Sequence, residues 1–142
     1  MKNNLLNYLT LIIALVFSPL LILWYFSTGP ELTIYTYLGI LLMIPSLVLF
    51  TIARIQLGSS FQISAAANKL VTGGLYKKLR HPIYYFGLAF LVGVIVFIHN
   101  FYLLILWCGL ILLQRKRIRN EERVLEEKFG DEYVKYKKGT WF

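Results

Sequence analysis

The sequence predicts an all-α integral membrane protein with four transmembrane helices, the last extending into a cytoplasmic amphipathic helix. Composition is the first observation behind that expectation. Of 142 residues, 58% are hydrophobic and 15% charged, and the mean hydropathy is +0.62, whereas soluble domains run at about 45–50% apolar and about 25% charged. The second observation is a series of long charge-free runs. The third is the placement of the 15 Lys and Arg residues, which all fall on one side if those runs are read as four crossings. The net charge of +8 does not indicate a nucleic-acid partner, because a basic nucleic-acid binder would not carry this much continuous apolar sequence. One domain over residues 1–142 suits the length.

Leu5 to Phe26 and Leu32 to Ala53 each run 22 residues without a charge. As helices each would be about 33 Å long, enough to cross a bilayer. The expected spans are about 5–26 and 32–54. Lys2 followed by an apolar stretch is somewhat like a signal peptide. The stretch is too long for one, however, and lacks a clear small-residue cleavage site, so a retained first span is expected. Gly29 and Pro30 supply turn chemistry between the spans, and Pro19 and Pro45 inside them suit kinked membrane helices.

Ile83 to Leu113 holds 31 residues without a formal charge, interrupted by His99 and Asn100. Read as one span, it would carry the nine Lys and Arg residues from Arg115 to Lys138 across the membrane. Read as a hairpin of two short spans, about 82–98 and 101–114, it leaves every basic residue on the cytoplasmic side, which the positive-inside rule favours. Beyond Leu113 the helix should continue into water. Ile118, Leu125 and Phe129 share a stripe at helical spacing, with Lys116, Arg123 and Glu127 opposite. Gly130 is the expected C-cap, Asp131 to Lys138 a short polar helix, and Trp141 with Phe142 an interfacial anchor. Cys108, alone in an apolar run, is expected to be a small packing residue, and no metal-ligand cluster is readable.

Three groups of residues on the cytoplasmic side could carry chemistry. Gly73 and Gly74 permit unusual backbone angles and close approach by a ligand, or simply make a turn. In Arg80-His81-Pro82-x-Tyr84, Pro82 fits a first helical turn, so Arg80 and His81 sit at a positive helix end that an anion would relieve. The same residues also read as an anchor and a helix start. Glu121 and Glu122 lie about 60° and about 40° either side of Ile118, flanking the apolar stripe, where carboxylates need partners or a ligand. Against that stands an ordinary solvated helix in which Arg117 pairs with Glu121. Together the groups suit a zwitterionic ligand bearing a carboxylate, an ammonium and sugar hydroxyls.

The order "LVTGGLYKKLRHPIYYFGLAFLVG" then "RIRNEERVLEEKFGDEYVKYKK", over roughly residues 56–138, resembles the isoprenylcysteine carboxyl methyltransferase and phospholipid methyltransferase superfamily. The resemblance implies an integral membrane, multi-pass methyltransferase that binds S-adenosylmethionine at its cytoplasmic face, in a region of about 70–85 and 115–138, and methylates a lipid or lipidated acceptor. It places Gly74, Tyr76, His81, Pro82 and Tyr84 in the cofactor loop. It gives Glu121 and Glu122 the cofactor's ammonium or ribose, and Arg80 or Arg117 its carboxylate or the substrate's acid. Arg80, Arg117 and Glu121 are then the candidate catalytic residues, since a glutamate could deprotonate an amine acceptor. Family members often continue with a basic, proline-containing tail, whereas this sequence ends "KKGTWF". The alternatives are a sterol-type reductase using NADPH, which shares an Arg-His-Pro-like turn, and a non-catalytic membrane scaffold of the same fold.

Overall fold

The computed structural model describes residues 2–29, 32–57 and 70–141, and these are all-helical. Helix α1 is Lys2–Ser27, α2 is Ile34–Leu57, α3 is Pro82–Phe97, α4 is Leu103–Phe129 and α5 is Asp131–Lys138. A 3₁₀ turn, Gly74–Lys77, precedes α3. Pro30 and Phe142, on which sequence expectations also fell, lie outside the described residues.

The hairpin expected within 83–113 is present: α3 and α4 are separate helices joined by a turn in which His99 takes a φ of 57°. Its ring Nε2 lies 2.9 Å from Thr33 Oγ1 at the start of α2. Tyr25 of α1 reaches Thr36 of α2 at 3.2 Å, tying the same end of the bundle together. α2 runs three residues beyond the expected end at 54, and Pro19 and Pro45 are both accommodated inside helices.

The tightest packing is between α2 and α3. Thr36, Gly39, Met43, Ser46 and Ala53 form the buried stripe of α2 at alternating steps of three and four residues, apart from the wider step to Ala53. A Cβ at Gly39 would sit 2.6 Å from Phe97 Cα, and one at Gly93 would sit 2.8 Å from Met43 N. Glycine is therefore what lets the two backbones meet, the packing mode of membrane helices that have no hydrophobic drive toward each other.

Among the described residues one helix, Ile34–Leu57, is long and apolar enough to cross a membrane, with a mean hydropathy of 2.2, and Leu15–Ser27 and Pro82–Phe97 are shorter apolar stretches. Only 22% of the most apolar part of α2 is buried within the chain, and Leu41, Ile55, Ile105 and Leu112 point outward with it. A soluble core helix would be covered. Such wide apolar exposure marks a surface made for lipid. Cys108 is exposed on this surface, contrary to the expected role of a small packing residue.

Candidate functional site

At the other end of the α2–α3 pair, five segments converge. The 3₁₀ turn begins at Gly74, whose φ of +60° disfavours any Cβ, and a Cβ there would also displace the Gln56 side-chain amide. Gln56 Oε1 accepts the Leu75 N–H at 2.8 Å, so the turn is fixed to the end of α2. Tyr76 then packs with Ala53 and Ile83 in a small core. Pro82 opens α3 at a position where a missing N–H costs nothing, and this leaves Arg80 and His81 just outside the helix, pointing toward α4.

α4 brings Glu121 and Glu122 to them. Arg80 Nε donates to Glu122 Oε1 at 3.0 Å. His81 lies between the carboxylates, with Nε2 3.4 Å from Glu122 Oε1 and Nδ1 3.8 Å from Glu121 Oε2. The Tyr84 hydroxyl, from the first turn of α3, donates to Glu121 Oε1. After Gly130, at a φ of +51°, the chain turns back and α5 closes the cluster. Tyr136 donates to the Tyr76 carbonyl at 2.6 Å. Arg80 Nη1 donates to the Lys137 carbonyl at 3.1 Å and to Thr140 Oγ1 at 3.0 Å. Lys137 Nζ lies 3.4 Å from Glu122 Oε2, and the Trp141 N–H reaches the Lys78 carbonyl at 2.9 Å.

The two adjacent carboxyls are driven apart in acidity. Burial raises Glu121, against the opposing effects of the Tyr84 hydrogen bond and the Arg117 charge. Burial would raise Glu122 too, but Lys137, Arg80 and His81 together outweigh it and hold that carboxyl below its usual range. His81 is held below the usual histidine range by burial, with Arg80 and Lys137 adding to the effect against the pull of Glu122. With two permanent cations already on Glu122, a third positive charge gains little. Burial also raises Tyr76 and Tyr133, and pushes Tyr136 up to about 12. Neighbouring groups pushed in opposite directions are a signature of acid–base and ligand-binding sites.

The structure thus brings together Arg80, His81, Tyr84, Glu121 and Glu122, with Tyr76 and Pro82 buried directly beneath and Gly74 at the head of the turn. Arg117 is exposed and acts on Glu121 through its field alone, without the ion pair that an ordinary solvated helix would form. Glu122 differs from expectation in a useful way: it already has partners inside the chain, so its burial does not by itself demand a ligand. Lys137, Thr140 and Gln56 were missed. The Tyr133-x-x-Tyr136 spacing just after Gly130 was the available signal that α5 packs back, since it sets two aromatics on one face of a short polar helix.

Residues 33–132 match the family model described as phospholipid methyltransferase. The chain is 29% identical to the protein-S-isoprenylcysteine O-methyltransferase of Dictyostelium discoideum over 150 aligned positions, covering 99% of this chain and 63% of that protein. It is 33% identical to a probable protein-S-isoprenylcysteine O-methyltransferase of Oryza sativa subsp. indica over 120 positions, 75% of this chain and 61% of that one. To the protein-S-isoprenylcysteine O-methyltransferase of Schizosaccharomyces pombe it is 36% identical over 93 positions, 61% of this chain and 39% of that one. The chain therefore spans at most 63% of the length of these relatives. No solved structure matches it significantly.

Proposed function

Because the chain belongs to the phospholipid methyltransferase family, we propose that it transfers a methyl group from S-adenosylmethionine to a lipid-like acceptor, the carboxylate of a prenylcysteine-like group. The observation that carries this reading is the meeting of Arg80, His81, Glu121 and Glu122 from two distant stretches of sequence at one end of an apolar bundle.

The donor set fits the cofactor. Tyr76 and Tyr133 are buried with hydroxyls that have no hydrogen-bond partner among the described residues, so polar groups remain to be satisfied beside the carboxylates. Glu121 and Glu122 would hold the ammonium or ribose hydroxyls, and Arg80 a carboxylate. S-adenosylmethionine supplies a methyl group already activated by its sulfonium, so the protein's main task is alignment of donor and acceptor. An acceptor carboxylate needs no base.

A second acceptor, a phospholipid amine, is favoured by the burial that raises Glu121. Glu121, held by Tyr84, is suited to take the proton that such an amine must lose before attack. In either case the acceptor enters sideways from lipid, past the exposed apolar faces of the helices. The bundle crosses the membrane four times, with both termini and this end cytoplasmic, which keeps the basic residues on one side.

The test is transfer of labelled methyl from S-adenosylmethionine in reconstituted vesicles, offering an S-farnesylated cysteine derivative or phosphatidylethanolamine. Base-labile label on the farnesylated acceptor supports the carboxylate reading, and base-stable label on the phospholipid supports the amine. Label on neither overturns the proposal.

A further inference from the structure

We infer that Lys137 is a side-chain gate that competes with a ligand's ammonium for Glu122, and that Glu126 is the carboxylate that receives it when the ligand binds. This rests on the proposed cofactor and concerns how its site is controlled.

Glu122 is fully engaged. Its Oε1 holds Arg80 at 3.0 Å, with His81 at 3.4 Å, and its Oε2 faces Lys137 Nζ at 3.4 Å. Of the two cations, Arg80 is the fixed one. It also donates to the Lys137 carbonyl and to Thr140, and so it belongs to the frame that holds the C-terminal segment. Lys137 enters through a flexible side chain with no other role in that frame. The segment keeps its place without the Lys137 ammonium, because Tyr136 is bonded to the Tyr76 carbonyl and Trp141 N–H to the Lys78 carbonyl.

A second position for the lysine is already built. Glu126 stands one helical turn after Glu122 on α4, and its Oε2 lies 4.0 Å from the same Lys137 Nζ. Glu126 is half exposed, so a lysine moved onto it regains water while Glu122 Oε2 is freed. An ammonium is a compact point charge on a flexible stem, so one can replace another at a carboxylate without rearranging the backbone. A ligand ammonium entering at Glu122 Oε2 would thus exchange one cation for another, and the empty site never holds an unpaired carboxylate.

Competition of this kind lowers apparent affinity by the fraction of molecules in which the gate is open. It acts only on ligands that bring an ammonium. The test is calorimetric titration in nanodiscs of wild type, Lys137→Gln, Lys137→Arg and Glu126→Gln, using S-adenosylhomocysteine and, as a ligand lacking the amino-acid moiety, methylthioadenosine. S-adenosylhomocysteine should bind Lys137→Gln about fivefold or more tightly than wild type, within the usual range of coupling between competing groups. Lys137→Arg should stay near wild type. Glu126→Gln, which touches no ligand, should bind about two- to fivefold more weakly, the scale of one exposed ion pair. Methylthioadenosine should bind all four alike. Equal or weaker binding of S-adenosylhomocysteine by Lys137→Gln, with normal binding by wild type, overturns the gate alone. Failure of wild type to bind either ligand overturns the cofactor reading and the gate together.

Discussion

Between Gly39 and Gly93, α2 and α3 meet backbone to backbone. From Arg80 to Trp141, the turn before α3, the polar half of α4 and α5 meet through charge and hydrogen bonds. The first region is held by shape and has no room for an added atom. The second is held by contacts between mobile charged side chains, where on the proposed reading a ligand ammonium would stand in for Lys137, while nothing can stand in for the space at Gly39. The proposed function thus divides stability and recognition between the two ends of one helix pair, and each predicted change should disturb one far more than the other.

The largest effect should come from filling the seam. Gly39→Leu pushes side-chain atoms into the Phe97 backbone, and a loss of about 3 kcal/mol or more is expected from overpacking, enough to remove the protein from the monodisperse fraction in size-exclusion chromatography. Gly73→Ala, at a site with nothing within 4 Å, should leave the elution profile unchanged.

Next in size is Glu122→Gln, which acts at the charged end. Loss of a charge-assisted contact should weaken binding of S-adenosylmethionine by about 1.5–3 kcal/mol, or roughly one to two decades. Because Glu122 also serves Arg80 and Lys137, the variant should melt earlier, and a thermal shift assay without ligand should show it. Glu127→Gln, on an exposed carboxylate paired with Arg123 at 4.0 Å, is the control and should match wild type in both.

Acidity should separate the regions as well. His81 is held below 6.5 in the folded chain, so protons favour the unfolded state; its contribution to stability is complete above pH 6.5 and is lost as pH falls toward its lowered value. Glu122, held below 4.5, adds a further loss as pH falls under 4.5. Glu121 runs the other way, because its raised pKa makes its contribution fade as pH rises above 4.5. Between pH 7 and 5 His81 and Glu121 oppose each other, so His81→Asn should remove a loss and leave the melting temperature higher at pH 5, relative to pH 7, than in wild type. Gly39, Met43, Gly93 and Phe97 in the seam do not titrate and should add no slope.

The smallest effect is expected at the join of α5. Tyr136→Phe removes the 2.6 Å bond to the Tyr76 carbonyl and should cost about 0.5–1.5 kcal/mol, read as earlier hydrogen exchange in α5 with the seam unchanged.

The two regions were unequally legible in sequence. Arg80-His81-Pro82 and Glu121-Glu122 stood out because charge beside an apolar run is costly and therefore visible. Their placement at one membrane face was legible, but their direct pairing was not, since Arg80 and Glu122 are 42 residues apart and only the α3–α4 turn makes them neighbours. Lys137 looked like one basic residue of a polar helix, and nothing local marks it as the one that folds back on Glu122. The seam could have been read further than it was. Gly39, Ser46 and Ala53 recur every seven residues, a run of small side chains on one face of α2, but hydropathy alone passes over small residues.

The most direct test of the central claim, that the charged end is an S-adenosyl site, is calorimetric titration of the wild-type protein in nanodiscs with S-adenosylmethionine and, separately, NADPH. One S-adenosylmethionine bound per chain, with no heat from NADPH and a binding constant weakened in Glu122→Gln but not in Glu127→Gln, is the predicted result. Saturable NADPH binding without S-adenosylmethionine binding, or S-adenosylmethionine binding indifferent to Glu122, would contradict it.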